Sequence, residues 1–385
     1  MMIPYVEILE RWVDLFPTTT EEIKPSFFVE PSQCWFELSY YETGAFEIYA
    51  PATKDNLQLK KGQFVKIPNK PYLWYITSIQ YEFNADGARM IDAKGYEAKW
   101  IASKRIIQDP RSLPANLKTA LERIFKLNIG VNASLKRRIV LFDFDFSACS
   151  GKETTAQATR GNLYDFTLNL LKLHKIGVYS IYENGKVIFK AVNGVDRSEE
   201  KTEGYILFSQ SMDNLISATY YTSDEEKKTN CQIVQTISES TGTGSARTTT
   251  STDYVAYYPD ESESPSGMNR SEMTINSNVS LEYIPEGSTQ KVKLNLNNAE
   301  DLALFTTWQE QEGRSALAEK ISVVNCDAKI DLEFSQYVFG EDFFIGDIVK
   351  VRDEYFGYEA AARILKYTFK QDSSGYGEEA DYSTE

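Results

Sequence analysis

The chain contains a single histidine, His174, and that scarcity removes much of the usual enzymology at once. Ser-His-Asp or Cys-His catalysis would have to run through this one imidazole, and no Gly-x-Ser-x-Gly elbow accompanies it. His-rich metal sites are excluded outright. His174 closes an amphipathic stretch just before Gly177, which predicts an imidazole resting on the last carbonyls of a helix. Cysteine is equally sparse. Cys34, Cys149, Cys231 and Cys326 are scattered, and no two share a metal-ligand or redox spacing, so the expectation is buried, reduced thiols, as suits synthesis in a cytoplasm. Long apolar runs are missing too. Nothing approaches the roughly 18 residues that a membrane span needs. The first sixteen residues carry Glu7, Glu10, Arg11 and Asp14 and therefore have no apolar signal core. Positive charge is also short: 41 Lys and Arg against 56 Asp and Glu leave a net charge of −15. A protein that binds nucleic acid by neutralising phosphates needs the opposite balance. The densest basic cluster, Lys136-Arg137-Arg138, precedes an apolar run and reads as a solvated turn.

What is abundant points elsewhere. The 24 Tyr and 21 Phe suit half-buried sheet faces and contact surfaces more than helical bundles. The first hundred residues alternate like a sheet: Gln33 to Tyr41 and Ala45 to Ala50 flank the turn Glu42-Thr43-Gly44, with Phe46, Ile48 and Ala50 on one face. Phe64 to Ile67, Leu73 to Phe83 and Arg89 to Gly95 continue the pattern, and Gly95 to Ile101 reads as a short helical closing segment. This spacing predicts a small antiparallel barrel or sandwich.

The middle third mixes helix and strand. Leu117, Leu121 and Ile124 predict a helix beginning near Pro114, and Leu163, Phe166, Leu170 and Leu173 a second one capped by Asn162 and ended by Gly177. Val178 to Tyr182 and Lys186 to Lys190 form a hairpin across Glu183-Asn184-Gly185. From Ser238 to Thr252 the chain is almost entirely Ser, Thr and Gly; with Asp260 to Gly267 and Pro285 to Gln290 it is expected to be loop. Asn298 to Lys320 predicts one long helix with Leu302, Phe305 and Trp308 on its apolar stripe. Asp347 to Val351 and Tyr358 to Phe369 return to strand. The class is therefore α+β and β-rich, with small β-barrel or sandwich units at both ends and α/β material between. The expected divisions are 1–107, 108–210, 211–237 with 340–385, and a loop-rich insertion with a long helix at 238–339.

Three stretches offer chemistry. Asp143 and Asp145, in Phe142-Asp143-Phe144-Asp145-Phe146, share one face of a strand; the ordinary reading is a solvent-facing edge, the alternative a catalytic or calcium-binding pair. Gly242-Thr243-Gly244-Ser245-Ala246-Arg247 lacks the third glycine of a dinucleotide loop and the Gly-Lys of a Walker loop, and reads as a flexible loop. Asp224-Glu225-Glu226-Lys227-Lys228 reads as a solvated turn between strands. No catalytic, cofactor-binding or metal-binding residue is assigned.

Four segments, in this order, carry a resemblance: Tyr41 to Ala52 with its Gly turn; Ala93 to Ile107, where a strand leads to a basic pair before Ile106-Ile107; Asn193-Gly194-Val195-Asp196-Arg197-Ser198 after the central hairpin; and Phe339 to Val351 with its Gly346-Asp347 step. The chain resembles the siphophage tail-hub family, the N-terminal structural region of the tail-associated (Tal) proteins, related in fold to the trimeric baseplate hubs of contractile-tail phages. Little matches between Ser238 and Gln290. The resemblance implies a non-enzymatic homotrimer at the virion tail tip. In it, two similar β-domains per subunit present six faces to a sixfold tube. The implied partners are the distal tail protein ring, the tape-measure protein, and receptor-binding or other baseplate proteins. DNA would pass through an acidic lumen without specific binding. The chain stops about 35 residues past Gly346-Asp347, so the expectation is a plug or platform without an appended hydrolase. The competing readings are a cell-wall carbohydrate-degrading enzyme built on paired carboxylates and a sugar-binding adhesin.

Overall fold

The structure is a computed structural model and describes residues 3, 5–11, 22–201, 204–241, 247–320, 323–330 and 335–384. The N-terminal strands are β1 (Val6–Arg11), β2 (Pro25–Val29), β3 (Gln33–Ser39), β4 (Ala45–Pro51), β5 (Gln63–Lys66), β6 (Trp74–Phe83) and β7 (Arg89–Glu97). A 3-10 turn, Ala98–Lys104, leads to the short β8 (Ile106–Ile107) and β9 (Arg111–Ser112), then α1 (Leu117–Asn128), β10 (Phe142–Asp145), β11 (Gln157–Ala158), β12 (Gly161–Asn162) and α2 (Leu163–Lys172). β13 (Gly177–Glu183) and β14 (Lys186–Val192) form the central hairpin. After β15 (Leu207–Ser209) and β16 (Leu215–Ser223) come β17 (Asn230–Thr241), β18 (Thr248–Tyr258), β19 (Glu272–Asn276), β20 (Glu282–Tyr283), β21 (Val292–Lys293) and α3 (Ala299–Ala318). The chain ends with β22 (Val323–Ile330), β23 (Ile348–Asp353), β24 (Tyr358–Asp372) and β25 (Gly375–Thr384).

The class is α+β and β-rich as expected, but among the described residues the two ends of the chain build one continuous sheet of 13 strands and no closed barrel. Its path runs β16-β22-β25-β24-β3-β4-β7-β6-β5-β1-β2, with β15 and β23 added beside β24. The seam is β24 against β3, antiparallel, from Lys366↔Ser39 to Gln371↔Cys34. Fusion follows from the side chains at that seam: Phe36, Leu38, Tyr367 and Phe369 are buried in one apolar cluster that draws on both ends of the chain. Separating the ends would expose these large faces, at about 25 cal/mol for each Å² of apolar surface.

A second core lies under α1, α2 and the three-stranded sheet β10-β14-β13. Both helices begin on asparagine caps. Asn116 Oδ1 accepts from the Thr119 amide at 3.0 Å, and Asn162 Oδ1 from the amides of Tyr164 (2.8 Å) and Asp165 (3.3 Å). The third helix starts likewise on Asn298 and buries Phe305 and Trp308, whereas Leu302, expected on the same stripe, is 37% exposed.

Two expectations are corrected by close approach. β7 runs on to Glu97 because Gly95 lets Tyr75 and Phe46 lie against its backbone, so the closing turn starts only at Ala98. Gly177 does not cap α2; it opens β13, where a Cβ would sit 2.1 Å from the Tyr40 ring.

The larger correction concerns Ser238 to Thr252. In place of a loop, β17 and β18 pair without a break from Cys231↔Tyr258 to Thr241↔Thr248. The outer half buries almost nothing. Its backbone ladder is complete, and facing side chains bond one another: Thr236 Oγ1 to Asp253 (2.6 Å), Ser238 with Ser251 (2.8 Å) and Ser240 with Thr249 (3.0 Å). Thr favours the pleated backbone and Ser and Thr hydroxyls pair across it, so low hydrophobicity did not mean loop. α3 packs across the inner half, where Gly313 admits Ile233. No helix among the described residues is long and apolar enough to cross a membrane.

Candidate functional site

The four segments that carry the family resemblance converge on one junction, where the N-terminal sheet, the central hairpin and the C-terminal strands meet. Its centre is Tyr40, fully buried at the end of β3. The phenol donates toward the carbonyls of Lys175 and Val192, each at 3.0 Å, and its oxygen accepts from the Gly194 amide at 3.2 Å. Its ring is boxed by backbone. Gly177 packs on one side, and Gly346, in the left-handed region at φ +90°, on another; a Cβ on Gly346 would lie 2.1 Å from the ring. Gly194 packs on Gly346 so tightly that a Cβ would fall 1.6 Å from the Gly346 carbonyl oxygen. Arg363 stacks 5.3 Å from the Tyr40 ring centroid and donates to the Gly346 carbonyl at 2.6 Å.

Asp347 locks the next layer. One carboxylate oxygen accepts from the Val195 amide (2.8 Å), the other from Arg197 Nε (2.8 Å) and the Phe344 amide (3.0 Å). Backbone bonds between Val195 and Ile348 and between Arg197 and Ile348 continue the lock, so Gly194–Arg197 is pinned to the start of β23. Nearby, Phe339 stacks on Tyr367 at 3.7 Å and meets Tyr72, Phe343 and Phe369. Lys70 donates to the Phe339 carbonyl at 3.3 Å from the N-terminal side.

The Ala93–Ile107 segment supplies a buried ion pair. Glu97 accepts from the amides of Gly44 (2.7 Å) and Ser39 (3.1 Å), and Lys99 reaches Glu97 at 3.0 Å, Val178 O at 2.7 Å and the Ser39 carbonyl. Burial pushes the Glu97 carboxyl up and the Lys99 ammonium down, and their mutual attraction opposes both shifts. The pair ties the β3–β4 turn to the central hairpin. These contacts fix geometry; none presents a reactive group to solvent.

The other sequence candidates lie apart. Asp143 and Asp145 occupy β10, an edge of the three-stranded sheet. Asp143 is exposed beside Lys186 (3.7 Å) and accepts from the Phe144 amide; Asp145 accepts from the Ser147 amide at 2.9 Å. Burial pushes the Asp145 carboxyl up, but the bonds from Ser147 and the charges of Lys190 and Lys118 outweigh it and hold it below its ordinary value. Alternation puts Phe142, Phe144 and Phe146 on one face, and Phe142 and Phe146 are buried in the core while Phe144 packs half-buried against it. His174 does not rest on its own helix end: its Nε2 lies 3.0 Å from the Glu153 carbonyl, and burial lowers its pKa, aided by Arg314 and Lys152. Lys136-Arg137-Arg138 lies in a turn, as expected, but its arginines serve local structure. Arg137 donates to Gln108 (2.8 Å) and Asn128 (3.2 Å), and Arg138 to the Val131 carbonyl. Asp224 to Lys228 is the turn between β16 and β17. Gly242 to Ala246 lies outside the described residues. Burial pushes the thiols up, Cys34 and Cys149 to about 12 and Cys231 to about 11, so they are poor nucleophiles; the Cys326 side chain lies outside the described residues. No group of three or more His, Cys, Asp or Glu able to hold a metal occurs among the described residues.

Sequence reasoning missed Tyr40, Glu97 and Lys99 as organisers. The available signal was the density of the quoted segments in glycine beside aromatics, together with Glu97-Ala98-Lys99 set between Tyr96 and Trp100-Ile101.

This architecture is that of phage tail proteins. The tail protein from Neisseria meningitidis MC58 matches with a TM-score of 0.50 at 9% identity, over 99% of this chain and 96% of its own. The 43 kDa tail protein of prophage MuSo2 from Shewanella oneidensis matches with a TM-score of 0.50 at 14% identity, over 98% of both chains. At these identities the likeness is one of fold. The chain itself belongs to the Siphovirus ReqiPepy6 Gp37-like protein family, whose pattern matches residues 31–380. No curated protein matches it.

Proposed function

We propose that this protein is the hub of a siphophage tail tip. Three copies close a ring at the distal end of the tail tube, join the distal tail protein and tape-measure protein, and pass DNA through an acidic lumen during host attachment and delivery. The observation that carries this reading is the single sheet running through both chain ends and pinned at Tyr40. A subunit of such a ring needs its two β-rich modules, 1–107 and 211–237 with 340–385, held in one fixed relation, because a threefold ring meets a sixfold tube only if both modules present matching faces. Residues 108–210 brace the seam, and 238–339 supplies the outer arm and α3 as an appendage before returning to the main sheet through β22. The role is structural, without catalysis, a reading supported by the bonds that Tyr40, Glu97, Lys99, Asp347 and Arg363 make to backbone. Sedimentation of the purified chain tests it: a species about three times the 43.8 kDa chain mass is expected. Cleavage of cell-wall polymers that disappears in Asp143→Asn would favour the enzyme reading instead.

A further inference from the structure

We propose that the cavity between α2, β19 and α3 binds a neutral saccharide. This inference does not depend on the hub reading, since the cavity belongs to the appendage and the central unit and lies apart from the β3–β24 seam. Its volume is about 310 Å³, at the small end for ligand sites.

Charge narrows the ligand first. The wall contains no Lys, Arg or His, whereas Glu312 and Glu319 both line it. A phosphate, sulfate or carboxylate ligand would find no counter-charge there and two repelling carboxylates. A nucleotide or acidic peptide is thereby disfavoured, and an uncharged ligand is favoured.

Hydrogen bonding narrows it further. Gln311 is 6% exposed and lines the cavity. Its Oε1 accepts from Thr155 Oγ1 at 2.9 Å, and its amide nitrogen has no acceptor among the described residues. Turned over, the amide would leave its oxygen unused instead. That nitrogen opens onto the cavity, where a ligand hydroxyl, which can either donate or accept, can bond it in place of solvent. The side-chain amides of Asn169, Asn276 and Asn278, all at the rim, likewise make no bond within the described protein. The Glu312 carboxylate is set by the Asn278 backbone amide at 3.1 Å. Against these stand apolar surfaces from Phe166, Leu170, Ile275, Val279 and Trp308. Amides that both donate and accept, one fixed carboxylate, apolar patches and no cation complement a sugar ring, whose hydroxyls alternate with C–H faces.

The test is ligand-observed saturation-transfer NMR on the full chain, with N-acetylglucosamine, glucose and rhamnose as probes and a neutral Gly-Ser peptide as comparison. At least one sugar should bind with a Kd near about 1 mM. Asn169→Ala and Asn276→Ala should each weaken it by about threefold to tenfold, as expected for loss of one hydrogen bond. Both side chains are exposed, so these variants leave the core intact; the larger loss expected of the buried Gln311→Leu counts only beside theirs. Absence of transfer from every sugar at about ten times that concentration, binding that survives both asparagine changes, or binding of the peptide alone would each overturn the proposal.

Discussion

The seam around Tyr40 and the arm formed by β17 and β18 are both antiparallel sheet, yet they hold together by opposite means. At the seam, large aromatics are buried and glycines admit them at distances no other residue allows. Along the outer arm the backbone ladder runs with hydroxyls facing hydroxyls in solvent. The first arrangement is stable because alternatives would leave voids or clashes. The second is stable only because each strand satisfies the other. One place should therefore tolerate almost no change, and the other almost any polar change.

The largest expected effect is at Gly346. Gly346→Val puts a β-branched side chain at φ +90° and against the Tyr40 ring, and should cost about 4 kcal/mol or more, read as a lower midpoint of chemical denaturation. Asp347→Ala comes next. It removes three bonds and leaves the mostly buried Arg197 unpaired, for about 3 kcal/mol by the same measurement. Tyr40→Phe keeps the ring and loses only the hydroxyl that serves Lys175, Val192 and Gly194, so about 1–2 kcal/mol is expected. If Tyr40→Phe cost as much as Gly346→Val, polar contacts rather than packing would dominate the seam.

His174 supplies a smaller, pH-dependent effect. Burial holds its folded pKa below the ordinary 6.5, with Arg314 and Lys152 adding to the shift and the Glu153 carbonyl opposing it. The fold therefore disfavours protonation. This contribution is whole above the unfolded pKa and is lost as pH falls through the lowered folded value. Relative to His174→Gln, the wild type should lose thermal stability as pH falls from above the ordinary 6.5 through the lowered folded value. Smallest of all, Ser238→Ala with Ser251→Ala should change stability by no more than about 0.5 kcal/mol, because the pair is exposed and the ladder persists. A large loss there would end the contrast between the two regions.

Much of this was legible from residues alone, and what was not shares a cause. Local periodicity predicted α1, α2, α3 and the central hairpin, and alternation placed Phe142 and Phe146 inward with Asp143 outward. What escaped depends on partners distant in sequence. Gly177 looks like a helix terminator until Tyr40 is seen against it, and Gly194 and Gly346 explain each other only in contact. Ser238 to Thr241 and Thr248 to Thr252 read as loop because their pairing draws on hydroxyls and backbone, which leave no apolar trace. The cavity was invisible because α2 and α3 are remote in the chain; Gln311 carries no motif, only a burial that its composition does not announce.

The proposed hub is tested by electron microscopy of the purified protein mixed with a siphophage distal tail protein. Three copies of this chain are expected to close the end of the distal tail ring, with the β3–β24 seam intact in each. Single chains that never seat on that ring, at any concentration, would contradict it.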